Sequence, residues 1–215
     1  SSESRGLGDV YKRQGNQSIK KVLPGEFIEV DFHGSYTKEI YWDPINYISE
    51  EDISLSEAQE EFDNLLKSSI EYRKISDVEV GLYLSGGLDS TLIGSLLSSD
   101  TKLKSFNVDY DEVFEGYKGE LDEAKFSSEI INVDLIHKSI TFDEFKNIIK
   151  EYPLLQDDLI GDEVGIPLYF LGKLANKNGL KVVQVGEGAD ELFFGYDHWL
   201  RSVSYTHLRA HETHS

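Results

Sequence analysis

The chain has 215 residues, no cysteine, and 40 acidic against 21 basic side chains, for a formal net charge of −19 at pH 7. So acidic a surface repels phosphate backbones, which disfavours a nucleic-acid partner, and no apolar run approaches the roughly 20 residues of a membrane helix. The lack of cysteine fits a reducing, cytoplasmic setting.

Both ends of the chain read as translated sequencing-library adapter. Back-translated, Ser4 to Gln14 gives DNA whose reverse complement, in a shifted frame, encodes Val203 to Glu212. Segments 1–14 and 202–215 are therefore expected to be no part of the fold, and the insert between them is expected to be cut at both ends. Three of the six histidines, His207, His211 and His214, fall in that tail, which removes the support for a histidine-rich metal site.

Within the insert, Glu26 to Phe32 and Lys38 to Tyr41 predict short strands around the His33-Gly34-Ser35 turn, a unit that Tyr41-Trp42-Asp43-Pro44 closes. Ser56 and Gln59 have capping-box spacing, and Ala58, Phe62, Leu65, Leu66 and Ile70 recur at helical intervals, which predicts a helix over 56–73. From there strands and helices alternate: strand 79–84, helix 89–98, strand 103–108, helix near 121–131, strand 135–140 and helix 142–150, the last with a Thr141 to Glu144 capping box. Helix 165–178 and strand 181–185 follow. Alternation of this kind predicts an α/β fold, a parallel sheet with helices on both faces, in which ligands gather at the carboxyl ends of strands.

Two loops stand at such strand ends. After Gly81-Leu82-Tyr83-Leu84 comes Ser85-Gly86-Gly87-Leu88-Asp89-Ser90, which runs straight into a helix. Its glycines let main-chain N–H groups approach an anion, the helix N-terminus adds its positive end, and two serine hydroxyls can donate to phosphate oxygens. A Walker loop would need Gly-Lys-Ser/Thr, and no lysine is present. Asp89 would repel a bare phosphate, so Mg²⁺ is expected between them. The second loop, Gly186-Glu187-Gly188-Ala189-Asp190-Glu191, follows the strand at 181–185. It carries Glu191 where a dinucleotide fingerprint has its third glycine. Its three carboxylates suit a metal-bridged phosphate with one acid left for proton transfer. Taken alone it is a weak signal, with a solvated acidic turn as the alternative reading.

The first loop resembles the pyrophosphate loop of N-type ATP pyrophosphatases. Together with Gly186-Glu187-Gly188-Ala189-Asp190-Glu191-Leu192-Phe193-Phe194-Gly195-Tyr196, it resembles the synthetase domain of glutamine-hydrolysing asparagine synthetases. Ile19 to Gly25 and Tyr41-Trp42-Asp43-Pro44 resemble the closing strands of that family's glutaminase domain. The resemblance implies a Rossmann-like, adenine nucleotide alpha hydrolase-like domain at 54–201 and a β remnant of a glutaminase domain at 15–45. It implies that Ser85, Gly86, Gly87, Asp89 and Ser90 bind the β,γ-phosphates of ATP, and that Leu84, Val108 and Gly186 line the adenosine pocket. Val185, standing where the family has serine, joins that ATP-binding set. Asp89 and Asp190 would hold Mg²⁺, and Glu187 would be the base that assists ammonia.

In the implied reaction a carboxylate is adenylated and ammonia, freed from glutamine elsewhere in the full protein, displaces AMP. Aspartate is the expected acceptor, which would give asparagine. Asp162-Glu163-Val164-Gly165-Ile166-Pro167 and the pair Phe194 and Trp199 depart from the commoner pattern and resemble relatives that amidate uronic acids for surface polysaccharides. That acceptor stays open, as does a relative that binds nucleotide without catalysis, although intact Asp89, Glu187 and Asp190 argue against the latter. A homodimer is possible in the full-length protein, and this piece alone is expected to be inactive with glutamine. Trp42, Tyr83, Phe193 and Phe194 read as packing aromatics, and His33, His137 and His198 lack ligand spacing.

Overall fold

The computed structural model describes residues 21–49, 52–98, 102–111, 119–156 and 164–196. The terminal segments 1–14 and 202–215, together with Asp162, Glu163, His198 and Trp199, lie outside the described residues. The chain divides into two compact units, residues 1–59 with 153–161 and residues 60–152 with 162–215.

In the first unit, β1 (Glu26–Val30) and β2 (Tyr36–Ile40) form an antiparallel hairpin, in register from Glu26↔Ile40 to Val30↔Tyr36. Asp31 sets the turn by accepting the amides of His33 and Ser35, each at 2.8 Å. Those bonds, the one from Ser35 foremost, hold its carboxyl below the usual range. Gly34 turns there with φ +86°, a left-handed conformation that only glycine adopts readily.

The helix α1 (Leu55–Lys74) starts one residue before the expected position, and its capping box is a different pair. The Ser54 hydroxyl accepts the Glu57 amide at 3.3 Å, and the Glu57 carboxylate accepts the Ser54 amide at 2.9 Å. Ser56 and Gln59 have the same spacing. Glu57 prevails because a charged carboxylate complements the positive end of the helix dipole, which a neutral glutamine does only weakly.

The second unit is built on a parallel sheet of β3 (Val80–Tyr83), β4 (Lys104–Tyr110), β5 (Asp134–Ile140) and β6 (Val182–Gln184), in the order β5-β4-β3-β6. Strand side chains alternate between faces, and the two faces carry separate cores. Leu82, Leu84 and Leu135 lie on one face with Ile70, Leu97 and Ile131, contributed by α1, by α2 (Leu88–Leu97) and by the end of α3 (Leu121–Ile130). Phe106, Tyr83, Ile136 and Val183 lie on the other face against α5 (Gly165–Lys177). Ile140 and Phe170 continue that second layer with Ile148 of α4 (Phe142–Leu155). Helices thus cover both faces, as the alternation predicts.

The Thr141 to Glu144 capping box forms as expected, with Glu144 accepting the Thr141 amide at 3.0 Å and donating its own amide to the Thr141 hydroxyl at 3.2 Å. The same helix outruns its expected end at 150 and carries Pro153 inside its last turn. Proline deletes one helical bond and crowds the carbonyl four residues back, and with two residues left before Leu155 the cost stays at the end of the helix.

Candidate active site

The strand order puts a reversal beside β3. The chain steps from β3 outward through β4 to β5, then returns to lay β6 on the other side of β3. A crevice opens at the carboxyl ends of strands where the winding direction reverses. The two expected loops leave β3 and β6 at this point, each leading into a helix, α2 and α6 (Ala189–Phe193).

The loops touch through main chain. A Cβ on Gly186 would lie 2.7 Å from the Ser90 nitrogen and 3.1 Å from Cβ of Asp89, so only glycine fits between the second loop and the start of α2. The first loop is in turn seated on α3, because a Cβ on Gly86, at φ +89°, would stand 2.4 Å from the Glu123 carbonyl carbon. Three contacts hold the serines. The Gly87 amide donates to the Ser85 hydroxyl at 3.2 Å, the Ser90 hydroxyl donates to the Gly87 carbonyl at 3.2 Å, and the two hydroxyls meet at 3.0 Å. Since Ser90 spends its proton on Gly87, Ser85 supplies the proton of that third bond. Gly87 caps α2 without a side-chain acceptor, which leaves first-turn N–H groups for an anion.

A cleft of about 190 Å³ lies beside these loops. Leu84, Ser85, Ser90, Val108, Val185, Gly186 and Glu187 line it, so seven of the eleven expected site residues share one wall system. Gly86, Gly87, Asp89 and Asp190 do not line it. Gly86 and Gly87 shape the loop instead, and Asp89 stands in the first turn of α2 beside Gly186. Asp190 turns its carboxylate against Gly195, where a Cβ would meet Oδ1 at 1.9 Å. The cleft is smaller than the about 300–1,000 Å³ of pockets that enclose a whole ligand. A nucleotide would therefore place its base and ribose inside and lay its phosphates across the open loops.

Two polar residues of the cleft escape sequence reasoning. Asn107 is one residue from Val108 on β4, and its position on a core strand gives no sign of function. Glu120 precedes α3, and burial, with Asp109 and Glu123 adding repulsion, pushes its carboxyl up. Pro167, Leu168 and Leu171 complete an apolar wall from α5; the helical pattern predicts that element but not which face meets a ligand.

The acidic loop folds back on itself. Gly188 takes φ +94° ahead of α6, Phe194 ends that helix at φ 57°, and the Gly195 amide donates to the Asp190 carbonyl at 3.0 Å. The Tyr196 hydroxyl donates to Glu191 at 2.7 Å, and that bond, with the nearby charges of Asp190 and Glu187, pushes the phenol up to about 12. Of the expected packing aromatics, Tyr83 joins the core on the α5 face and Phe193 meets Phe62 edge-on at 5.7 Å.

Among the described residues no three His, Cys, Asp or Glu side chains converge as a metal cage. Mg²⁺ is commonly held by one or two carboxylates together with substrate phosphates. Asp89 and Asp190 have the donor chemistry for that arrangement, one from each of two loops that abut at Gly186.

A family model described as Asparagine synthase matches residues 61–214. The chain belongs to the asparagine synthase family. It is 34% identical over 191 residues to asparagine synthetase [glutamine-hydrolyzing] 1 of Bacillus subtilis (strain 168), covering 86% of this chain and 29% of that protein. A putative asparagine synthetase [glutamine-hydrolyzing] 1 of Methanocaldococcus jannaschii is 36% identical over 154 residues, 71% of this chain and 27% of its own length. The chain thus spans under a third of the length of these asparagine synthase relatives. Among solved structures, the NMN synthetase of Francisella tularensis aligns with TM-score 0.43 and 19% identity over 67% of this chain and 59% of its own. No helix among the described residues is long and apolar enough to cross a membrane.

Proposed function

We propose that this chain is the ATP-binding, carboxylate-activating part of an amide ligase that makes asparagine from aspartate. The observation that carries the reading is the seating of Gly186 against Ser90 and Asp89, which joins the two strand-end loops into one site. The α2 first-turn amides bind the phosphates, joined by the Ser85 and Ser90 hydroxyls once these turn their protons from each other and from Gly87, while Leu84, Val108 and Val185 enclose the adenosine. Asp89 and, with its carboxylate turned from Gly195, Asp190 would hold Mg²⁺, which would supply the charge that offsets the leaving pyrophosphate.

In the first step a carboxylate oxygen attacks the α-phosphorus of ATP and the bond to pyrophosphate breaks. In the second, the ammonia nitrogen bonds to the acyl carbon, AMP departs, and Glu187 takes the proton that nitrogen sheds. The ammonia comes from glutamine in the full-length protein. Segments 15–45 and 54–201 are read as the end of a glutaminase domain and the synthetase domain.

ATP–pyrophosphate exchange, measured in protein carrying this chain with aspartate or a uronic acid as acceptor, tests the proposal. Label should enter ATP only with aspartate present. Exchange with the uronic acid alone would move the acceptor, and exchange with neither would defeat the reading.

A further inference from the structure

The end of the β3–β4 ladder is closed by a side chain rather than by main chain. The Leu84 amide donates to the Phe106 carbonyl at 2.9 Å, so Phe106 turns its peptide groups toward β3. Peptide groups along a parallel strand face alternate neighbours. Asn107 therefore turns toward β5, with which it pairs at His137, and Val108 turns toward β3 again. At that level β3 has already left. Its pairing with β4 ends at Tyr83↔Phe106, and the chain has entered the Ser85 loop. The acceptor that would continue the ladder is the Leu84 carbonyl, and the Asn107 side chain takes it, Nδ2 to O at 3.0 Å.

Asn107 is 3% exposed, and its rotamer is fixed from the other side. His137 Nδ1 lies 3.0 Å from Asn107 Oδ1, and His137 Nε2 lies 3.2 Å from the Ser139 hydroxyl. The donor and acceptor roles follow from the carbonyl at the end of the row. Leu84 can only accept, so the amide nitrogen must face it and Oδ1 must face His137. His137 Nδ1 then carries a proton, and in the neutral ring Nε2 accepts from Ser139.

We propose that Asn107, oriented by His137, is a positioning residue for the nucleotide base. By holding the Leu84 carbonyl it stops the ladder one bond short and keeps the main-chain N–H and C=O of Val108 turned to the cleft that Val108 lines. A donor beside an acceptor on one main-chain residue matches the edge of a 6-aminopurine, whose ring nitrogen accepts and whose amino group donates. Without the amide, the Leu84 carbonyl would be left buried and unpaired. It would then recruit the Val108 N–H, the next donor along β4 on that side, and close the base site. The part that concerns the base rests on the ATP reading above; the part that concerns the ladder does not.

The test uses Asn107→Asp, which keeps the shape and replaces the donor by an acceptor, Asn107→Ala, and His137→Leu, which leaves Asn107 in place. Hydrogen exchange of the Val108 amide, followed by NMR, should be fast in the parent chain and slow in Asn107→Ala. Unchanged exchange there and in His137→Leu would overturn the ladder device whether or not nucleotide binds. Calorimetry should find ATP binding weakened about tenfold or more in Asn107→Asp, as expected when a buried polar contact is left unmet, with inorganic pyrophosphate bound as before. Equal losses for ATP and pyrophosphate would overturn the base role and mark Asn107 as a general support of the fold. A parent chain that binds pyrophosphate but not ATP would remove the base role with it. One that binds neither would defeat the ATP reading, while the exchange result still decides the ladder device.

Discussion

A methyl group on Gly186 would stand 2.7 Å from the amide nitrogen of Ser90. The second strand-end loop therefore lies directly on the first turn of α2, and the Ser85 loop and the acidic loop are one mechanical unit. Gly186→Ala should separate them. Overpacking at such a contact costs typically about 1–3 kcal/mol, which lowers the melting temperature by several degrees for a chain of this size. Nucleotide affinity should fall further than that loss alone would suggest, because Ser85 and Ser90 stay on one loop while Glu187 moves away on the other. Calorimetric titration with ATP beside thermal melting checks this. Unchanged affinity with a lowered melting point would confine Gly186 to packing.

Beyond the edge strand β5, Glu144 ties the start of α4 to that strand. Its carboxylate accepts from Lys138 Nζ at 2.8 Å and from the Thr141 amide at 3.0 Å. The Lys138 bond first, then the Thr141 amide, hold its carboxyl below the usual range. A depressed folded value means stability that is present above the unfolded value of 4.5 and lost as pH falls through the folded one. Glu144 is 39% exposed, so solvent screening holds the contribution to roughly 0.5–1 kcal/mol. Glu144→Gln should cost that much at pH 7 and flatten the acid limb of the stability curve below pH 4.5, as urea melts at stepped pH would record. A parallel offset at every pH would remove the charge from the explanation.

Much of this architecture is legible in the sequence because its signals are local. Strands at 79–84, 103–108 and 135–140 declare themselves by short apolar runs between helical periods, and each appears within two residues of its expected place. The loops are legible because glycine, serine and acid at fixed spacing have few other uses. What escapes is set by a close local competition or by long-range geometry. Ser54–Glu57 and Ser56–Gln59 have identical spacing, and only the charge at the helix end separates them. Asn107 is an ordinary polar residue until the register places it beside the Leu84 carbonyl and His137. Glu120 is remote from both motifs in the chain and reaches the cleft only because α3 starts beneath the Ser85 loop.

Asp89 occupies the first turn of α2 next to the acidic loop, outside the apolar cleft and on the side where phosphates would lie. Asp89→Asn in the full-length protein should cut pyrophosphate release severely with little change in fold, because a carboxylate gives Mg²⁺ a charged oxygen and an amide only a neutral carbonyl. The Mg²⁺ concentration for half-maximal pyrophosphate release should rise as well. Circular dichroism and release rates across a Mg²⁺ series measure both. Parent rates at saturating Mg²⁺ would take Asp89 out of the phosphate site.

A substitution at Glu187 tests the two proposed half-reactions separately. This residue is the one carboxylate of the acidic loop that lines the cleft, between Gly186, pinned against Ser90, and Gly188, which turns at φ +94° into α6. Asp190 is turned to Gly195 and Glu191 is held by Tyr196, so Glu187 is the acid of this loop that would face an adenylate bound in the cleft. If it takes the proton from attacking ammonia, Glu187→Gln in the full-length protein should still adenylate the acceptor and then stall. Loss of a general base typically costs about 10²- to 10⁴-fold in rate, so amide formation should collapse while acceptor-driven ATP–pyrophosphate exchange persists. If Glu187 served mainly as a metal ligand, the pyrophosphate would lose its cation in the first step and both reactions would fall together. Measuring exchange and amide formation on the same preparation decides between these roles, and equal losses in the two would sink the assignment of Glu187 as the base.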